Sequence, residues 1–190
     1  MEALEFVNKL GSLAFDELVL RNRGYGDHAF HMCRAFYPAK TQQTSSNSFV
    51  VIRLVEEYDC SEITLISSIS FENDGIETHR FLQFGWVFGD DPLAVDKTNG
   101  EIVSLPYWDF ESVGLYCAST GENFLKAYLI GGIPALDISF ENEDAMNAYN
   151  KGRAEAATIA AGGEKYRNFW MHLYITDFGT TESNNGALLN

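Results

Sequence analysis

Three groups of residues in this chain have side chains that could do chemistry, and the first is a possible metal site. His28, His31 and Cys33 lie within six residues of one another. Zinc binds histidine and cysteine, and two histidines three residues apart can share one face of a helix. A closed zinc site needs a further ligand, and His79 and His172 stand alone in the sequence. We therefore interpret the group as loop or partly buried residues and predict no metal and no cofactor.

The second group consists of three aspartates, Asp90, Asp91 and Asp96. Clustered carboxylates can bind Mg²⁺ or exchange protons with a substrate. Their spacing does not match a calcium-binding loop, which needs a glycine and a glutamate at fixed later positions. Asp91 precedes Pro92, as in many turns, and Asp96 can cap the turn that follows it. We therefore predict structural roles for these carboxylates.

The third group is Cys117 with Ser119, which stand just before a predicted helix. A thiolate at a helix N-terminus would be stabilised by the helix dipole. A nucleophile also needs a base, and the neighbouring sequence offers none. We predict that the chain has no catalytic residue and is not an enzyme.

The balance of charge restricts the possible partners. The 190 residues include 13 Lys and Arg and 27 Asp and Glu, so the net charge is 13 − 27 = −14. Such a field repels phosphate backbones and anionic membranes, so we predict binding to neither nucleic acid nor membrane. The same field speeds encounter with a basic protein. Three irregularly spaced cysteines and an N-terminus without a signal-peptide pattern favour a cytoplasmic location.

The negative charge is concentrated in clusters between residues 56–62, 72–77 and 137–144. Tyr58 in the first cluster and Phe140 beside the last provide apolar anchors, and aromatic residues surrounded by charge are typical of protein interfaces. We predict partner-binding roles for Glu56, Glu57, Tyr58, Asp59, Glu62, Glu72, Asp74, Glu77, Asp137, Glu141, Glu143 and Asp144.

The hydrophobic pattern predicts an α+β domain with a mostly antiparallel central sheet and helices packed around it. The predicted helices span residues 2–20, 119–129 and 142–161, and the predicted strands span 49–55, 62–71, 80–88, 93–95, 102–105, 135–140 and 168–176. Asn99 and Gly100 predict a hairpin turn, and Ser119 with Glu122 predicts a capping box. We assign residues 1–178 to one domain, with 135–178 as an extension packed on it, and predict that 179–190 form a mobile tail.

Two elements carry a predicted buried face. In the first helix this face is formed by apolar residues at steps of three and four, which are Leu4, Val7, Leu10, Ala14 and Leu18. In the strand over residues 80–88 it is formed by alternate residues, which are Leu82, Phe84, Trp86 and Phe88.

The segment from Trp86 to Leu105 resembles the SMI1/KNR4 (SUKH) superfamily. The matching features are Phe88-Gly89-Asp90, a short strand that ends in Asp96, and Gly100 before the next strand. A later helix with Phe124 and Leu125 is similar to the helix that follows in that superfamily, and the match covers about 50 residues. The resemblance implies an α+β fold and, for a divergent bacterial member, an immunity protein that binds and neutralises a toxin.

Three functions remain open at this stage. The resemblance and the charge favour an immunity protein for a toxin with a basic, nucleic-acid-targeting surface. The same superfamily includes intracellular scaffold and regulatory modules. A ligand-binding protein or enzyme would need a pocket beside Trp86 and Trp108, with Asp90 or Asp96 as its polar group.

Overall fold

The structure, a computed structural model, describes residues 1–14, 17–22, 36–63, 66, 68–72, 76–131 and 143–176. Its centre is a five-stranded antiparallel sheet whose strands lie side by side in chain order. Helices pack against one face of this sheet. Two short strands outside it, Ala39–Lys40 and Tyr58–Asp59, pair with each other. The predicted α+β class is confirmed.

The helices are α1 (Ala3–Ser12), α2 (Glu17–Leu20), α3 (Val50–Glu57), α4 (Gly121–Gly131), α5 (Glu143–Ala161) and α6 (Arg167–Thr176). The strands are β1 (Ala39–Lys40), β2 (Tyr58–Asp59), β3 (Ile69–Ser70), β4 (Phe81–Val87), β5 (Asp91–Asp96), β6 (Ile102–Ser104) and β7 (Leu115–Ala118). A short 3₁₀ turn, Glu164–Tyr166, connects α5 to α6.

The prediction of a helix at the N-terminus is correct, and its predicted buried face is partly correct, since Leu10 is buried and Val7 and Ala14 pack against the core. The residues of α1 that are buried are Ala3, Phe6 and Leu10. Leu4 is 60% exposed, because the face that contains the larger Phe6 ring turns toward the core. The helix ends at Ser12, so Leu18 belongs to the separate α2, where it is 65% exposed.

Two predicted strands are helices. Residues 49–55 are rich in β-branched residues, which predicts a strand, yet they form most of α3, where Val50, Val51, Ile52 and Leu54 are buried. Residues 168–176 form α6, because their buried side chains recur with helical spacing. Those side chains are Phe169, Trp170, Leu173 and Tyr174.

The predicted strand over 62–71 is also mostly wrong, since among its described residues only Ile69–Ser70 forms a strand. Ile63 and Ile66 are buried outside regular structure. The predicted strand over 135–140 and the tail over 179–190 lie outside the described residues.

The central hairpins and the two helices that follow confirm the sequence prediction. Strands β4, β5 and β6 form at the predicted places, and α4 and α5 follow. The loop between β5 and β6 turns at Gly100, whose φ is 77° and whose N–H donates to the carbonyl of Asp96 at 2.7 Å. The helix α5 is followed by Gly162 and Gly163, both with positive φ, as expected for a helix stop.

An irregularity in β4 corrects the predicted alternation of that strand. The register between β4 and β5 shifts between Gln83 and Gly85. Leu82 before the shift and Phe84 at the shift pack against the main core, whereas after the shift Val87 does so and Trp86 is only half-buried. A β-bulge changes which alternate residues face the core, and strict alternation cannot anticipate it.

The two faces of the sheet are covered differently. The main core lies between the sheet and the helices, and Trp170 of α6 donates its indole N–H to the carbonyl of Cys117 in β7 at 2.9 Å. On the other face a smaller cluster is covered by the loop between β6 and β7. Its buried residues are Phe81, Ala94, Val103 and Leu105.

Candidate functional site

The carboxylate of Asp96, at the end of β5, has structural partners on both oxygens. Arg80 donates to one oxygen through Nε at 2.9 Å and Nη2 at 2.6 Å. The other oxygen accepts the backbone N–H of Thr98 at 3.0 Å and its hydroxyl at 2.6 Å. The side chain is 1% exposed. Asp96 therefore caps the turn that follows it, as predicted from the sequence.

These contacts also determine the ionisation of Asp96. Burial by itself raises the pKa of a carboxyl group, because a charged carboxylate loses water. The hydrogen bonds from Arg80 and Thr98, together with the positive charge of Arg80, outweigh burial and lower the pKa of Asp96. The group remains an anion with no vacant side for a substrate or a metal, which supports the structural interpretation.

The other two aspartates do not converge with Asp96. Asp91 and Asp96 stand at opposite ends of β5, about 17 Å apart at the rise of an extended strand. Asp90 is exposed, and Asp91 accepts the backbone N–H of Tyr107 at 3.1 Å. The structure therefore does not bring the three carboxylates together as a single site.

Cys117 and Ser119 are both engaged in packing. Cys117 is fully buried, and burial raises its pKa well above the usual thiol value, so the reactive thiolate is disfavoured. The hydroxyl of Ser119 donates to the carbonyl of Ala161 at 3.1 Å. The predicted cap is shifted by one residue, because the hydroxyl of Thr120 accepts the N–H of Asn123 at 3.2 Å.

The possible metal ligands are not assembled in the part of the chain that the structure describes. His28, His31 and Cys33 lie outside the described residues. His79 and His172 are exposed, and His172 packs edge-on against Phe88 with ring centroids 4.6 Å apart. Within the described ranges no three His, Cys, Asp or Glu side chains are grouped as metal ligands.

The first acidic cluster is partly engaged in local contacts. Glu56 accepts the hydroxyl of Ser45 and Glu57 accepts its N–H at 3.2 Å, and both carboxylates are half-buried. Tyr58 is 5% exposed, so it belongs to the core and is not the surface anchor that we expected. Asp59 and Glu62 are exposed.

The second and third clusters are only partly described. Glu72 and Glu77 are exposed, and Glu77 accepts the ammonium of Lys97 at 2.9 Å. Glu143 and Asp144 are exposed in the first turn of α5, where negative charge complements the helix dipole. The predicted contacts Asp74, Asp137 and Glu141, and the anchor Phe140, lie outside the described residues.

The exposure of the aromatic residues after β6 was not anticipated from the sequence. Trp108 is 74% exposed and Tyr107 is 60% exposed, so they form a surface feature instead of the wall of a pocket. The sequence signal for this surface is an aromatic pair between Pro106 and Asp109, since proline and aspartate are typical of an exposed turn.

Comparisons with protein-family models, with curated proteins and with solved structures each return no significant match. Among the described residues, no helix is both long and apolar enough to cross a membrane.

Proposed function

We propose that this chain is a cytoplasmic immunity protein that binds and neutralises a nucleic-acid-targeting toxin, and that it acts by binding alone. The observation that carries the proposal is the net charge of −14. A toxin that acts on nucleic acid needs a basic substrate cleft, and an acidic protein is complementary to such a surface. The resemblance to the SUKH superfamily supplies the class of partner.

Two features of the described residues support binding over catalysis. Two side chains that could act in catalysis have structural roles instead, since Asp96 is held by Arg80 and Cys117 is buried. Six of the predicted contact residues keep exposed carboxylates, and these are Asp59, Glu62, Glu72, Glu77, Glu143 and Asp144.

The proposal is tested by co-expression with the domain encoded by the adjacent gene. If that domain arrests growth, the chain should restore growth and should copurify with it at low salt, about 0.05 M. A toxic neighbouring domain that the chain neither binds nor neutralises would overturn the proposal. Binding without any toxicity of the neighbour would instead indicate the scaffold function.

A further inference from the structure

The loop between β6 and β7, residues 105–114, presents two aromatic side chains to solvent; we refer to it as the aromatic loop. Trp108 and Tyr107 pack edge to face within it, with ring centroids 4.8 Å apart and planes at 87°. Both rings are more than half exposed, as described above. Large aromatic rings that a protein leaves exposed together are typical of interaction sites.

The aromatic loop is fixed to the sheet at both ends. The N–H of Leu105 donates to the carbonyl of Pro92 at 2.9 Å, and the N–H of Gly114 donates to the carbonyl of Ser104 at 2.8 Å. A further bond from Asp109 N–H to the carbonyl of Pro106, at 3.0 Å, closes the turn that carries the two rings.

Side-chain packing holds the middle of the loop as well. Phe110 and Val113 pack against the smaller hydrophobic cluster on the outer face of the sheet. The backbone on either side of Trp108 is therefore anchored, and Phe110 and Val113 occupy the apolar surface beside it. A rigid aromatic side chain loses little conformational entropy when a partner covers it.

The surroundings of the two rings are acidic. The segments 88–96 and 105–116 contain no Lys or Arg. Asp90 and Glu111 are exposed, and Asp91 lies against Tyr107 through its bond to the Tyr107 N–H. Asp109 is held by bonds from Glu111 N–H at 3.0 Å and from the Ser112 hydroxyl at 2.6 Å, so its charge has a fixed position.

We propose that Trp108 and Tyr107 form the central contact with a basic protein partner, and that the Trp108 ring receives an arginine side chain of that partner. This inference rests on the proposed function and locates its binding surface. An arginine placed over an indole ring is attracted to the ring electrons, and the surrounding carboxylates favour the same positive charge. Tryptophan, tyrosine and arginine are also the residues that most often dominate the energy of an interface.

The charge favours this partner over other ligands that stack on aromatic rings. A single-stranded nucleic acid would also stack on Trp108, but its phosphates would lie among four carboxylates. A second copy of this chain would bring a second −14 charge to the contact. The aromatic loop lies outside the three acidic clusters that the sequence predicts as contacts, so it is an additional contact surface.

The test compares Trp108→Ala and Tyr107→Ala in the full chain with Ile159→Ala as the matched control. Ile159 is 77% exposed on α5, so its removal deletes an equally exposed apolar side chain at another place. The probe is the toxic domain encoded by the adjacent gene, and its affinity is measured by isothermal titration calorimetry. Circular dichroism checks that each variant keeps the wild-type fold.

We expect Trp108→Ala to weaken binding by at least about thirtyfold, Tyr107→Ala to weaken it less, and Ile159→Ala to stay within about twofold of wild type. If Trp108→Ala binds the toxic domain with wild-type affinity, and the wild-type chain neutralises that domain, this inference is overturned and the proposed function is left intact. Absence of binding by the wild-type chain would overturn both.

Two further measurements distinguish the other occupants. Binding of an oligodeoxythymidine that is lost in Trp108→Ala would overturn the protein partner in favour of single-stranded nucleic acid. A concentration-dependent dimer in analytical ultracentrifugation that is lost in the same variant would overturn it in favour of a second copy.

Discussion

Phe88, in the turn between β4 and β5, has a backbone conformation that side chains disfavour. Its φ is 56°, and it is the single non-glycine residue with positive φ in the described part of the chain. Its ring packs against Phe169 and His172 of α6, with centroids 6.0 Å and 4.6 Å away. Packing onto a helix therefore offsets a local strain of about 1–2 kcal/mol.

This strain predicts an unusual order of stabilities at position 88. Phe88→Gly and Phe88→Ala both lose the contacts with α6, but only glycine also removes the strain. Glycine also has greater freedom in the unfolded chain, which reduces this advantage. We therefore expect the free energy of unfolding of Phe88→Gly to be about 0.5–1 kcal/mol higher than that of Phe88→Ala. Urea denaturation of the two variants measures the difference. An alanine variant at least as stable as the glycine variant would show that the site is unstrained.

The ion pair between Asp96 and Arg80 predicts a pH dependence. The folded pKa of Asp96 is lower than that of a free carboxyl group, about 3.9, so the carboxylate stabilises the fold above that pH. The contribution is lost as the pH falls through the lowered folded pKa. We expect Asp96→Asn to reduce the free energy of unfolding by about 1–3 kcal/mol at pH 7.

The test measures the free energy of unfolding of both proteins from neutral pH to about pH 2. The difference between wild type and Asp96→Asn should shrink once the wild-type carboxyl group is protonated. Glu155→Gln, at an exposed position on α5, is the control and should change stability by less than about 0.5 kcal/mol at pH 7. A difference for Asp96→Asn that stays constant down to the lowest pH would contradict a stabilising anion.

At the scale of elements, two helical glycines with different surroundings give opposite predictions. A Cβ at Gly131, at the end of α4, would lie 1.6 Å from the hydroxyl oxygen of Tyr174 on α6. Tyr174 is only 3% exposed, so its ring has no open space to move into. A Cβ at Gly152, within α5, would meet nothing within 4 Å.

We therefore expect Gly131→Ala to lower the free energy of unfolding by about 2 kcal/mol or more, because α4 and α6 must separate. Gly152→Ala should raise it by about 0.5–1 kcal/mol, since alanine favours the helix. Thermal and urea denaturation of both variants provide the measurement. Equal effects of the two substitutions would show that the α4–α6 contact is not tight.

The elements that the sequence predicts correctly are those with a strong local signal. The hairpin from β5 to β6 has a glycine that adopts positive φ at Gly100, and α5 ends where two glycines follow it. Such turns and stops depend on single residues, so they can be recognised without knowledge of the rest of the chain. The same holds for the capping role of Asp96.

The elements that the sequence predicts wrongly depend on distant packing. In α3, β-branched residues that favour a strand are helical because that segment packs between α1 and α4. In α6, Trp170 finds a hydrogen-bond acceptor in β7, which lies 53 residues earlier in the chain. Local propensity carries no information on such partners, and composition alone therefore favoured strands in both segments.

The same distinction applies to the candidate site. Charge can be counted from the sequence, so the acidic character of the chain could be predicted. The exposure of Trp108 was missed, because Pro106 and Asp109 indicate an exposed turn but do not show which rings stay in solvent. That depends on Phe110 and Val113, which occupy the outer face of the sheet. Tyr58 shows the converse, since an aromatic residue within an acidic cluster of the sequence is buried in the core.

At the scale of the whole molecule, charge and aromatic contacts should control different steps of binding. The field of a −14 chain extends over about one Debye length, so it acts on a basic partner before contact. Burial of the Trp108 ring acts only within the complex. The field should therefore influence the association rate, whereas the aromatic loop should influence the dissociation rate.

This separation gives a kinetic prediction for the proposed complex with a toxic neighbouring domain. Raising the salt from about 0.05 M to about 0.5 M should lower the association rate constant by at least about tenfold and leave the dissociation rate constant nearly unchanged. Trp108→Ala should do the reverse, because it removes a contact and no charge. Surface plasmon resonance measures both constants. An association rate that does not respond to salt would show that the negative charge serves another purpose and that the partner surface is not basic.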